Sequence, residues 1–276
     1  MSCAEWLAKR LQNNYCRILM SLHTIHWSSK ILGKQTTVRV IYPESGTPPF
    51  PVLYLLHGLS DDSSSWCRNS RIEVHAAPFP MIVVMPDGYR GFYTDNEQGP
   101  AYARHFAVEL PNFIERTFQA RTDRDGRAIG GLSMGGYGAL RLGLGHPDSF
   151  CSIHSHSGAL DRGATVLRMW QENQDPDGPN RPEEILRIFG SNPLLASHDP
   201  LELAKKSRED LPAILIDCGT EDFLLQANRD FVAALQAEKI PHTYVEHPGG
   251  HDWNYWDTHI QEALRFHASH LGIPAQ

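Results

Sequence analysis

Residues 127–144, RAIGGLSMGGYGALRLGL, set an apolar run directly against a serine spaced by glycines and then against a helical stretch of small and apolar residues. Few folds accommodate that order. With only Gly131-Leu132-Ser133-Met134-Gly135 at the junction, the serine has to occupy a very tight strand-to-helix turn, and the glycines two before and two after it let the two backbones approach each other. The hydroxyl of Ser133 then stands at the carboxyl end of the strand. The amide of Met134 falls in the first helical turn, where N–H groups lack intrahelical partners and the helix dipole favours negative charge, so it suits an oxyanion. Gly-x-Ser-x-Gly alone also arises around solvated serines in glycine-rich loops. The flanking strand and helix set this instance apart.

The same strand-then-helix order runs along the chain. Thr36–Pro43 alternates like an edge strand, whereas Pro51–His57, Met81–Pro86, Arg127–Leu132 and Ala213–Gly219 are continuously apolar, as suits central strands covered on both faces. Phe150–Gly158 and His242–Gly250 complete the set. Helical stretches fit between them at about Tyr102–Phe118, Gly135–Leu144, Gln226–Glu238 and Trp256–His270. The expected class is α/β, a mostly parallel sheet with helices on both faces. One catalytic domain spanning 21–276 fits the length. Residues 1–20 read as an N-terminal extension, with Met20 an alternative start. A polar, Pro-containing insertion at about 161–207, including QENQDPDGPNRPEEI, reads as a small cap over a binding site, its plain alternative being a solvated loop.

Composition narrows the partners. With 41% apolar and 21% charged residues the chain has the make-up of a soluble globule, and a formal net charge of -7 disfavours a phosphate backbone as ligand. No run approaches the roughly 20 apolar residues of a membrane span, and the charged N-terminus lacks a secretory core. A cytoplasmic protein acting on a small molecule is expected, with neither nucleic acid nor membrane as partner; self-assembly is left open. The five cysteines, Cys3, Cys16, Cys67, Cys151 and Cys218, are odd in number and scattered, and reduced thiols are the simplest account. His154 and His156 share one side of a strand but lack a third ligand at suitable spacing, so they read as structural. No metal or cofactor is expected.

A serine hydroxyl is a poor nucleophile near neutral pH and needs a base, which a carboxylate must orient. Where such a serine sits on a strand-to-helix elbow, the acid and the histidine come later, in that order. In Asp217-Cys218-Gly219-Thr220-Glu221-Asp222 the first Asp lies within a strand, which leaves Asp222 as the acid and Glu221 as its rival; helix N-capping is the plain alternative for either. In Pro248-Gly249-Gly250-His251-Asp252-Trp253 the base is His251. His247 competes, but it precedes a proline at a strand end. The second oxyanion donor is expected from the loop after an early strand, at the amide of Leu59, with Gly58 permitting the turn and His57 supporting it.

HGLSDDSSSW, PDGYRGFYTDN, GLSMGGYGAL, CGTEDFLL and PGGHDWNYW, in that order, resemble the corresponding blocks of the putative-esterase family of α/β-hydrolases. That family includes esterase D or S-formylglutathione hydrolase, tributyrin-type short-chain esterases, feruloyl and acetyl-xylan esterases, and the antigen 85 mycolyltransferases. The resemblance runs from about Ile25 to the C-terminus. It implies the α/β-hydrolase fold with an antiparallel first strand, a triad at Ser133, Asp222 and His251, an oxyanion hole at the amides of Leu59 and Met134, and a variable cap at 161–207.

Within the family, S-formylglutathione hydrolases carry SMGGHGA where this chain has Tyr137, and a cysteine-containing loop where it has SDDSSSW. The resemblance therefore favours a serine carboxylesterase for small, short-chain oxygen esters. The alternatives are glutathione thioester, acetyl-xylan or feruloyl ester hydrolysis, acyl transfer, or a silent binding protein on the same fold. Trp66, Tyr93, Tyr137, Trp253 and Trp256 lie in the motif blocks and are candidates to line the acyl or alcohol pocket; core or rim packing is the plain reading of each.

Overall fold

The computed structural model of the chain describes residues 20–160, 182–191 and 196–274. Residues 1–19 of the expected extension and the first half of the expected cap, 161–181, lie outside these. Eight strands form one sheet: β1 Met20–Ser29, β2 Lys34–Pro43, β3 Val52–Leu56, β4 Ile82–Pro86, β5 Arg127–Leu132, β6 Ser152–His156, β7 Ala213–Gly219 and β8 Thr243–His247. The order across the sheet is β1-β2-β4-β3-β5-β6-β7-β8. Only β2 runs against its neighbours, antiparallel to both β1 and β4, and every pair from β4 to β8 is parallel.

The described helices are α1 Ser65–Asn69, α2 Ile72–Ala76, α3 Tyr102–Arg104, α4 Leu110–Thr117, α5 Met134–Gly145, α6 Pro182–Phe189, α7 Pro200–Lys206, α8 Leu225–Ala237 and α9 Trp253–His270. Between α3 and α4 the chain stays helical through a wider π turn, His105–Glu109. Successive residues of the central strands face opposite layers. In β3, Val52, Tyr54 and Leu56 join the core beneath α3, α4, α5 and α8, while Leu53 and Leu55 join the one beneath α1, α2 and α9. Burial on both faces accounts for the continuous apolar runs, each fully buried aliphatic side chain contributing about 1.5–3 kcal/mol.

β1 was not foreseen as a strand; the sheet was expected to begin at Thr36. Its sequence, MSLHTIHWSS, is polar and half exposed because it forms the outer edge, so burial imposes little alternation on it. It is secured from the helical layer instead. The Glu109 carboxylate on the π turn accepts from the Ser29 hydroxyl at 2.5 Å and the Lys30 amide at 2.7 Å.

Candidate active site

Four parallel strands deliver the site at their carboxyl ends. At the end of β5, Ser133 takes φ 54° and ψ -115°, a left-handed conformation that costs a non-glycine residue on the order of 1–3 kcal/mol and persists because its surroundings over-determine it. Two glycines make room for the turn. A Cβ on Gly131 would stand 2.7 Å from the Leu56 carbonyl oxygen and one on Gly135 2.6 Å from the same atom, so neither strand nor helix can move in unless both positions lack a side chain. The Ser133 amide donates to the His156 carbonyl at 2.9 Å, and the Ser133 carbonyl accepts from the amides of Tyr137 and Ala159, each at 3.1 Å.

The loops after β7 and β8 bring Asp222 and His251 together. His251 Nε2 lies 3.0 Å from Ser133 Oγ, and His251 Nδ1 lies 2.9 Å from Asp222 Oδ2. Of these partners the Asp222 side chain is the most enclosed, 0% exposed. Its other oxygen accepts from the Leu224 amide at 2.7 Å. Burial pushes the Asp222 carboxyl up, but hydrogen bonds from His251, Leu224 and Ser157 outweigh burial and hold it below the ordinary aspartate value, which keeps it charged. The charged carboxylate selects the His251 tautomer with the proton on Nδ1 and leaves Nε2 free to accept from Ser133 Oγ.

The rival residues have other partners. Glu221 turns its carboxylate to the Gly249 amide at 2.5 Å, and its own amide donates to the Gly249 carbonyl at 2.9 Å, so it staples the acid loop to the histidine loop. His247 faces Glu262 on α9 at 3.1 Å, away from Ser133. Asp252 caps α9, accepting from the amides of Asn254 and Tyr255. His154 and His156 are buried; His154 Nδ1 meets His267 at 2.7 Å and His156 Nδ1 meets Asp217 at 2.5 Å.

The loop after β3 is held through its carbonyls. Leu56 O accepts from the Trp66 indole at 3.2 Å, His57 O from the Tyr93 hydroxyl at 2.9 Å, and Gly58 O from His57 Nδ1 at 2.7 Å. His57 Nε2 accepts from the Gly88 amide at 2.8 Å, which requires the ring proton on Nδ1. Trp66 and Tyr93, candidates for pocket lining, are thus 1% and 0% exposed, with their polar ends turned inward onto this loop. Tyr137 is equally buried, its hydroxyl on the His198 carbonyl at 2.7 Å. Their large ring areas favour burial, and each polar tip finds a backbone acceptor there. Trp256 is 5% exposed and meets His251 edge-on at 5.0 Å, and Trp253 stands edge-on to both Trp66 and Trp256.

Two contributors were not anticipated. Phe223, next to Asp222, is 75% exposed and leans on the His251 ring at 4.5 Å. A large apolar residue in the acid loop was its visible signal. Arg90 donates through Nε and Nη2 to Glu184 on α6 and through Nη1 to Ser60, one residue beyond Leu59. That link joins three distant segments, and no local pattern announces it.

The sheet order and the serine on a strained elbow define an α/β-hydrolase. The family described as "Putative esterase" matches residues 29–267. An acetyl esterase of Caldicellulosiruptor saccharolyticus is 32% identical over 90% of this chain and 98% of its own length. Among solved structures, the fluorophosphonate-binding serine hydrolase F of Staphylococcus aureus, substrate bound, superposes with a TM-score of 0.80 at 28% identity, covering 90% of this chain and 98% of that one. An S-formylglutathione hydrolase of Staphylococcus aureus does so with 0.77 at 29% identity and the same coverage. The chain belongs to this esterase family and is a carboxylic ester hydrolase. Among the described residues no helix is long and apolar enough to cross a membrane.

Proposed function

We propose that the protein hydrolyses short-chain oxygen esters through an acyl-enzyme on Ser133. The observation that carries this is the unbroken chain from Ser133 Oγ to His251 at 3.0 Å and from His251 to the buried Asp222 at 2.9 Å. His251 Nε2 takes the hydroxyl proton as Oγ attacks the ester carbonyl. The tetrahedral oxyanion is met by the amides of Leu59 and Met134, each such donor contributing roughly 3 kcal/mol at the transition state. Asp222 stabilises the imidazolium, which protonates the leaving alkoxide; the alcohol departs and the acyl group remains on Oγ. Water then attacks with His251 as base, and collapse returns the proton to Oγ and releases the carboxylic acid.

The acetyl esterase relative, and Tyr137 where S-formylglutathione hydrolases carry a histidine, favour small acyl groups on oxygen, and free thiols at Cys67, Cys151 and Cys218 favour a cytoplasmic setting. The S-formylglutathione hydrolase neighbour supplies a second reading, a thioester substrate. A panel of p-nitrophenyl esters from acetyl to long acyl chains, beside S-formylglutathione and acetylated or feruloylated sugars, separates the two. Wild type is expected to prefer acetyl to butyryl esters, and Ser133→Ala to lose on the order of 10³-fold or more in kcat. Undiminished turnover by Ser133→Ala removes the nucleophile; preference for the thioester reverses the substrate assignment.

A further inference from the structure

Away from Ser133, the end of β8 and the first half of α9 bring two imidazoles and a carboxylate together. His247 Nε2 lies 3.1 Å from one Glu262 oxygen and His259 Nδ1 lies 3.4 Å from the other. The two rings stack 13° from parallel with centroids 3.9 Å apart, and one ligand atom from each of the three residues lies within 4.8 Å of the others. Ligand atoms at zinc bond lengths of about 2.0–2.1 Å and tetrahedral angles are about 3.3 Å apart, a value that the two nitrogen-to-oxygen distances, one to each carboxylate oxygen, bracket. The imidazole side chains are 22% and 14% exposed and the carboxylate 49%, so the cluster is walled by protein yet open on one side to an ion and a water.

We propose that His247, His259 and Glu262 form a binding site for a single first-row divalent cation, Zn2+ being the best match to two imidazoles and one carboxylate. On binding, each imidazole carries its proton on the nitrogen away from the ion, the rings fan apart from their stack, and a water completes four-coordination. No proton need leave neutral rings, because each changes only its tautomer. The chemistry of the site is structural. His247 is the last residue of β8, while His259 and Glu262 sit one turn apart on α9, so the ion clips together the two elements on either side of loop 248–252, which carries His251. It would hold that loop in place without touching the ester.

The test uses tag-free, chelator-treated full-length protein and Zn2+ itself, with bound metal measured after equilibrium dialysis. Wild type is expected to take up one equivalent and to melt at a higher temperature with Zn2+ than without. His259→Gln, close in shape to the imidazole it replaces, and Glu262→Gln on the exposed side of the helix are each expected to weaken uptake at least about tenfold and to abolish the thermal shift. Co2+ in place of Zn2+ should give the intense visible absorption of four-coordinate cobalt in wild type only. Absence of uptake by wild type overturns the site, as does uptake undiminished in either variant, which would assign the metal to other histidines of this chain. Because none of the three residues takes part in the proposed ester chemistry, these outcomes stand whether or not Ser133→Ala loses activity.

Discussion

The Ser133 turn and the loop that follows β3 sit side by side over the ends of β5 and β3, yet they are held by opposite means. Around Ser133 the shape comes from backbone against backbone: Gly131 and Gly135 admit the Leu56 carbonyl at distances no side chain would allow. In the loop from His57 to Leu59 the shape comes from side chains, with Trp66, Tyr93 and His57 each holding one of three consecutive carbonyls. The first device is local, and a five-residue pattern encodes it. The second draws on residues up to 36 positions away. A strained turn can be built from missing side chains, whereas a loop proposed to aim an amide at a developing charge has its carbonyls tied back by side chains.

The sharpest way to break this comparison is Gly135→Ala. Its methyl would meet the Leu56 and His57 carbonyl oxygens at 2.6 and 2.7 Å, and neither backbone can yield. A loss of about 3 kcal/mol is expected, at the upper end of overpacking costs, and urea unfolding measures it. A midpoint unchanged from wild type would mean that the turn is not set by backbone contact.

For the side-chain device the corresponding change is His57→Ala. It leaves the buried Gly88 amide unsatisfied, at about 1–3 kcal/mol, and leaves the Gly58 carbonyl with only the longer bond from the Asp61 amide, 3.3 Å. If the loop thereby loses its aim, kcat falls by roughly 10²-fold, as for a lost oxyanion donor, with KM changed less. Lower stability with kcat intact would show that the Leu59 amide is positioned by something other than its carbonyl ties.

These two devices also divide what the sequence made legible. Ser133, Asp222 and His251 come together as their loops suggested: the first two follow buried apolar strands whose ends are recognisable, and the third follows β8 in a Pro-Gly-Gly turn that marks its end. Helices α5, α8 and α9 begin within three residues of the expected starts, α8 and α9 because they are periodic and buried on one face, and α5, buried almost all round, because the glycine-spaced serine marks its start. The aromatic residues were another matter. Trp66, Tyr93 and Tyr137 share motif blocks with the loops of the site, but whether a ring lines a pocket or stands behind it depends on where its polar tip finds an acceptor. Those acceptors, Leu56 O, His57 O and His198 O, are set by tertiary packing. The polar edge strand β1 and the Arg90 link between Glu184 and Ser60 escaped for the same reason.

Acid should distinguish the two regions as well. Beneath the elbow, Gly130 of β5 leaves space that the His154 ring fills, and His154 in turn meets His267. Burial lowers both rings' pKa values, that of His267 to about 3 and that of His154 well below the usual value. An unfolded histidine titrates near 6.5. As pH falls from about 6.5 towards 3 the unfolded chain therefore binds protons that the folded chain refuses, and stability declines with them. Melting temperature is expected to drop steadily below about pH 6.5, and His267→Gln to flatten that slope. A slope identical in the variant would locate the acid sensitivity elsewhere.

The smallest change, Tyr93→Phe, probes one carbonyl tie alone. The ring is fully buried, so phenylalanine retains its packing and only the hydroxyl bond to His57 O, 2.9 Å in wild type, is lost. A single neutral hydrogen bond contributes about 0.5–1.5 kcal/mol net, and the carbonyl left behind remains in a buried pocket. A stability loss of about 1 kcal/mol is expected. The instructive quantity is kcat: if carbonyl ties aim the Leu59 amide, removing one of three should lower kcat several-fold with KM nearly constant, because the amide-to-oxyanion contact it weakens is made only in the transition state. A fall in stability with no fall in kcat would reduce Tyr93 to a core residue, and the contrast between the two regions would then rest on His57 and Trp66 alone.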